Sequence, residues 1–181
     1  MIFIPTTLQG SYEITLQPYT DNRGWFTRFY CKEEFEQINH SKEWVQMNHS
    51  FTKAKGSIRG MHYQYPPNSE IKVVRCISGA VYDVIIDLRK SSKTFLHWRG
   101  TELSADKKNM LYIPEGFAHG FQTLTENCEL IYFHSEYYTS GNEGGVRYND
   151  SAIGIIWPLD VTEVSERDSK NPLIDHNFKG I

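Results

Sequence analysis

The sequence predicts a mainly all-β fold, a jelly-roll sandwich or barrel with a few short helices. Three observations carry this. Strand-like runs recur at close intervals from Trp44 onward, turn signals separate them, and aromatic residues make up 14% of the chain, with 11 Tyr and 10 Phe. Aromatic and β-branched side chains pack well on a pleated surface, and many short strands joined by turns build sandwiches and barrels.

Residues 1–20 read as extended, with apolar positions broken by Thr, Gly and Pro. Asp21-Asn22-Arg23-Gly24 is a turn signal, and 25–30 reads as a strand. A short helix is expected over 32–39, where Phe35 and Ile38 fall at i, i+3 among charges. Strands are expected at 45–51, 57–64, 71–77, 80–88, 98–103, 109–113, 120–124 and 128–135. Pro66-Pro67-Asn68-Ser69 is a loop, and Ser78-Gly79 reads as a hairpin turn. In 80–88, Val81, Asp83, Ile85 and Asp87 share one face. Two acids there suggest a face that lines something wet. From Pro158 on, the chain is polar and is expected to wrap the barrel. The expected organisation is one domain over 1–181, with an N-terminal extended arm and a C-terminal wrapping segment.

A chain of 181 residues can bury a real core, and 39% hydrophobic content excludes a disordered one. A net charge of -3 excludes a general polyanion-binding surface, so no nucleic acid partner is expected. A local cluster of Arg and Lys can still hold a small phosphate ligand. Cys31, Cys76 and Cys128 are too widely spaced for a disulfide framework or a zinc site and fit a reducing cytoplasm. No apolar stretch is long enough to span a membrane, and the N-terminus lacks the pattern of a signal peptide.

Two stretches carry chemistry. Arg59-Gly60-Met61-His62-Tyr63-Gln64 places a histidine in a strand with an arginine before it, and Lys72 follows. Taken alone, His62 is more readily a packed core histidine than a base. Pro114-Glu115-Gly116-Phe117-Ala118-His119-Gly120-Phe121 feeds a second histidine into a strand. It resembles the second motif of the cupins, jelly-roll proteins in which that histidine often binds metal. Gln64 stands where a further ligand would be needed, and two histidines without a carboxylate make a poor divalent-metal site. No metal and no cofactor are expected.

The resemblance extends further. The chain is similar to the dTDP-4-dehydrorhamnose 3,5-epimerase family, through the 21–26 block, Gln46-Met47-Asn48-His49-Ser50, the two histidine stretches, Lys72-Val73-Val74-Arg75, and the 82–89 block. Tyr132, Tyr137-Tyr138, Glu143, Tyr148-Asn149-Asp150, the 154–158 block and Ser165-Glu166-Arg167-Asp168 follow in family order. This resemblance implies a cofactor-independent epimerase of a nucleotide-diphosphate 4-keto-6-deoxyhexose, acting at C3 and C5. Such a reaction needs a base on one face of the sugar, an acid on the other and a cation at the C4 oxygen. The resemblance assigns His62 as base with Asp168 as its partner, Lys72 to the oxygen and Tyr132 as acid. It gives substrate binding to Arg23, Arg28, Gln46, Asn48, Arg59, His119, Tyr138, Glu143 and Arg167. It also implies a homodimer with N-terminal strands exchanged.

Arg28 and Met47 depart from the family pattern, which usually has a glutamate and a polar residue there. Tyr148 and Phe133 also depart from it, at places where tryptophan and lysine are common. The first two leave the base and the exact sugar open. A one-carbon epimerase of a related sugar stays in view, as do a metal-dependent cupin and a non-catalytic sugar-nucleotide binding protein.

Overall fold

The computed structural model describes residues 1–181. Two antiparallel sheets face each other. One has six strands: β1 (Ile2–Pro5), β2 (Tyr12–Thr15), β5 (Gln46–Thr52), β7 (Lys72–Ser78), β10 (Asn109–Ile113) and β12 (Cys128–His134), in the order β1-β2-β10-β7-β12-β5. The other has five: β6 (Ile58–Gln64), β8 (Ala80–Asp87), β9 (Trp98–Ser104), β11 (Phe117–Thr123) and β13 (Glu143–Gly145), in the order β13-β6-β11-β8-β9. β3 (Tyr19–Asp21) and β4 (Gly24–Phe26) form a separate hairpin. This is the jelly-roll architecture the sequence predicts.

Three apolar layers explain why so many strands read as nearly continuous hydrophobic runs. Between the sheets lie Val74, Cys76, Val81, Ile85, Leu103, Leu111, Phe121 and Leu130. Outside the six-stranded sheet, Ile14, Val73, Met110 and Phe133 pack with Phe35 and Ile38 of the helical turn. Outside the five-stranded sheet, Met61, Val84, Ile86 and Ala118 are covered by Trp157, Ile174, Phe178 and Ile181. Strands covered on both faces lose the clean period-2 alternation.

Several expectations change in detail. The helix shortens to α1 (Lys32–Phe35) followed by a 3-10 turn at Glu36–Ile38; Asn39, at φ 58°, ends it in the left-handed region. No side chain caps its start. The 25–30 strand stops at Phe26, because Phe29 and Tyr30 turn inward against Phe133 and Phe35. Ser78-Gly79 is not a hairpin turn, since β7 and β8 lie in different sheets and this turn carries the chain between them. The acidic face of β8 is not wet. Asp83 and Asp87 are fully buried, and each has its own partner: His119 for Asp83, and Arg89, Ser92 and Thr94 for Asp87.

The segment after Pro158 runs along the five-stranded sheet and contains α2 (Glu166–Ser169). Its last residue is anchored, Ile181 N–H donating to Leu88 O at 2.9 Å. No helix is long and apolar enough to cross a membrane.

Candidate active site

A cleft of about 1200 Å³ opens between the sheets. β5, β6, β7, β11 and β12 present side chains to it, and the 162–168 stretch closes one wall. Of the expected site residues, His62, Asp168, Lys72, Tyr132, His119, Asn48, Arg59 and Arg167 line it.

A slip in strand pairing puts Arg59 and His62 on the same side. His119 pairs with His62 and Phe121 with Arg59, so three steps along β6 match two along β11. Such a bulge re-aims a side chain that would otherwise face away. Gly60 occupies it at φ +127°, and a Cβ there would meet the Gly120 Cα at 2.6 Å. Only glycine fits both the backbone and the space.

Asp168 reaches His62 from α2. Ser165 caps that turn, its Oγ accepting the Asp168 N–H at 3.0 Å. The carboxylate accepts from His62 Nε2 at 2.7 Å and from the Gly60 N–H at 3.0 Å. Burial raises its pKa, but the bonds from His62, Gly60 and Ser165 outweigh burial and hold it below the ordinary carboxylate value. An ionised carboxylate can only accept, so His62 carries a proton on Nε2, and in the neutral ring the lone pair lies on Nδ1.

The Tyr132 hydroxyl is 2.9 Å from Ser50 Oγ. Burial pushes its pKa far up, so it stays a protonated phenol at neutral pH. Its ring lies edge-on to His119 and near-parallel to His134. His119 Nε2 is 2.9 Å from Asp83 Oδ2. Burial raises the Asp83 pKa against the opposing pull of His119 and Lys72. Lys72 Nζ sits 2.9 Å from Glu70 Oε1.

At the rim, Arg167 pairs with Glu143 at 2.9 Å, and the Tyr138 hydroxyl donates to Glu143 at 3.2 Å. Gln46 hydrogen-bonds Asn48 and the backbone of Tyr138. Arg59 has no carboxylate partner; it donates to Thr52 Oγ1 and Phe51 O. Five expected residues do not line the cleft: Gln46, Tyr138 and Glu143 reach it only through their bonds to Asn48 and Arg167, and the other two lie apart from it. Arg23, on the β3–β4 hairpin, pairs with Asp21 and is almost fully exposed, and Arg28 pairs with Glu34.

Gln64 is fully engaged by backbone groups, donating to Asn68 O and Tyr137 O and accepting the Thr139 N–H. No three His, Cys, Asp or Glu side chains converge into a metal-holding group.

Sequence reasoning missed Glu70, His134 and Ser50. His134 lies two residues after Tyr132 on one strand, so period-2 spacing puts both on the same face. Ser50 sits on the same face of β5 as Asn48 by the same rule.

The fold and cleft define a jelly-roll protein with a carboxylate-paired histidine, a half-buried phenol and a buried ammonium around one cavity. The family model described as dTDP-4-dehydrorhamnose 3,5-epimerase matches residues 5–176. The chain belongs to that family and is an isomerase. The dTDP-4-dehydrorhamnose 3,5-epimerase of Salmonella typhimurium strain LT2 is 44% identical over 177 residues, covering 97% of this chain and 96% of its own. The crystal structure of the Bacillus anthracis epimerase with TDP and PPi bound superposes with a TM-score of 0.93 at 39% identity, over 96% of this chain and 99% of that one. The Legionella pneumophila enzyme, in complex with dTDP-4-keto-L-rhamnose, gives 0.91 at 33% identity, over 95% and 92%.

Proposed function

We propose that this chain epimerises a dTDP-4-keto-6-deoxyhexose at C3 and C5, with His62 as base and Tyr132 as acid. The observation that carries the assignment is the His62–Asp168 dyad, whose free Nδ1 belongs to the same cleft as Tyr132, Lys72 and His119. His62 takes the proton from carbon, and the electron pair moves to the C4 oxygen. Lys72 and His119 stabilise the resulting enolate. Tyr132 returns a proton to the same carbon from the opposite face, and solvent resets both groups. Asp168 fixes the tautomer of His62 and steadies its imidazolium.

Arg59 and Arg167 match a diphosphate, since guanidinium forks pair well with phosphate oxygens. Tyr138, Gln46, Asn48 and Glu143 form the nucleotide end. Arg23 and Arg28 act on a second copy of the chain, in a homodimer. What supports this is the β3–β4 hairpin, which hydrogen-bonds to neither large sheet and exposes Tyr19, Trp25 and Phe26. The working location is the cytoplasm, where the free cysteines stay reduced.

The test is solvent deuterium wash-in with dTDP-4-keto-6-deoxyglucose, read by NMR. Deuterium at both C3 and C5 is expected. Label at one carbon only assigns a one-carbon epimerase, and binding without label assigns a non-catalytic protein.

A further inference from the structure

A chain of buried and rim side chains runs from the nucleotide end of the cleft to Lys72. The Tyr138 backbone N–H donates to Gln46 Oε1 at 3.1 Å. Gln46 Nε2 donates to Asn48 Oδ1 at 3.2 Å, and Asn48 Nδ2 meets His134 Nε2 at 3.2 Å. His134 Nδ1 lies 2.6 Å from Glu70 Oε2, and Lys72 Nζ lies 2.9 Å from Glu70 Oε1.

The direction of every bond follows from the first. A backbone N–H can only donate, so Gln46 must turn its oxygen to Tyr138 and its amide nitrogen to Asn48. Asn48 must then accept with its oxygen and donate with its nitrogen. His134 therefore presents a bare Nε2 to Asn48 and an Nδ1–H to Glu70. Burial raises the Glu70 pKa, but the bond from His134 and the charge of Lys72 more than offset this and keep it ionised. Glu70 and His134 side chains are each only 10% exposed, so neither direction can be reversed cheaply by water.

We propose that Glu70 and His134 are positioning residues for Lys72. Together they fix where its ammonium sits. This deepens the epimerase reading and rests on it for the role of Lys72. A carboxylate is needed at 70 because it alone accepts from both neighbours. In Glu70→Gln the new amide nitrogen must face either the Lys72 ammonium or the His134 Nδ1–H. Either way one donor points at another, and the reversed pattern stops at the Tyr138 N–H, which cannot turn round.

Two measurements on the full-length protein test this. Histidine-selective 15N NMR should show His134 with Nδ1 protonated and Nε2 bare at neutral pH; an Nε2–H form or a doubly protonated ring overturns the proposal. In the exchange assay, Glu70→Gln should lower kcat by at least about tenfold, the scale of one charge-assisted hydrogen bond. Its affinity for dTDP should be unchanged, and Glu70→Asp should recover part of the rate. A Glu70→Gln enzyme with wild-type kcat overturns the proposal, and so does a joint loss of kcat, dTDP affinity and thermal midpoint that Asp does not rescue. Wild-type protein that exchanges no deuterium sinks the epimerase reading, and the tautomer measurement still decides the hydrogen-bond direction. Wild-type exchange with an unaffected Glu70→Gln sinks this inference alone.

Discussion

His119 stands directly opposite His62, their Cα atoms paired where β11 runs antiparallel to β6. Opposed residues leave a sheet on the same face, so both imidazoles enter one cleft. Different acids hold them. The Asp168 carboxyl is kept ionised by donors around it, whereas Asp83 is walled in and has its pKa raised. His62 is also the more open of the two, its side chain 37% exposed against 7% for His119. This difference supports His62 as the proposed proton acceptor and His119 as a fixed polar contact.

Replacing His62 with Ala should leave the fold intact by circular dichroism and lower deuterium wash-in by about 100- to 10,000-fold, the range for losing a positioned base. Undiminished exchange in the variant rules out His62 as the base.

Tyr132→Phe removes the hydroxyl and leaves the ring packed in place. Turnover to epimerised product should fall by about 100-fold or more, with dTDP binding unchanged by calorimetry. Because burial pushes the phenol pKa up, no loss of acid function is expected at mildly alkaline pH. Normal turnover in the variant would mean that another group reprotonates the sugar.

Asp168 also leaves a mark on stability. Its folded pKa lies below the ordinary 3.8. Such a group adds stability above that ordinary value and gives it up as pH falls through the folded value. The gap in urea midpoint between wild type and Asp168→Asn should therefore shrink from about pH 5 to about pH 2. A gap that stays constant across that range contradicts a depressed Asp168 pKa.

If the hairpin arginine serves a second copy, two inactive variants should repair each other. Arg23→Ala and His62→Ala, co-expressed with different tags and purified as the mixed dimer, leave one site with both residues intact. That dimer should have about half the wild-type activity per dimer, by counting intact sites. A mixed dimer as inactive as its parents places Arg23 on its own chain's site or on none.

The strands were legible because the outer layers cover both sheets and leave long apolar runs, as at β10, where every residue is buried; β11 starts at Phe117, three residues before the expected 120–124. β13 was not, being three residues with two glycines. Nor was α2 read as a helix, although Ser165-Glu166-Arg167-Asp168 has the form of a capping box. The sheet crossing at Ser78-Gly79 looked like a hairpin because a tight turn reads the same whichever sheet the next strand joins. Individual site residues, and Asp168 as the partner of His62, could be named by resemblance, but the partners of Lys72 could not. Glu70 and His134 are 64 residues apart, and no local pattern joins them.

The glycine bulge on β6 has a consequence for how this enzyme can change. Arg59 and His62 are aimed by one backbone irregularity, not by two independent side-chain choices. Loss of a single residue between them would restore two-for-two pairing with β11 and keep both side chains on the cleft face, whereas straightening the bulge at full length would turn Arg59 away from His62, toward the Met61–Val84 layer. The spacing between the Arg59 guanidinium and the His62 imidazole is thus set by the backbone of the sheet itself. If Arg59 and His62 hold diphosphate and sugar as proposed, variation in the sugar or base falls to Arg167 on its short helix, to the Tyr138 segment, or to the freestanding hairpin.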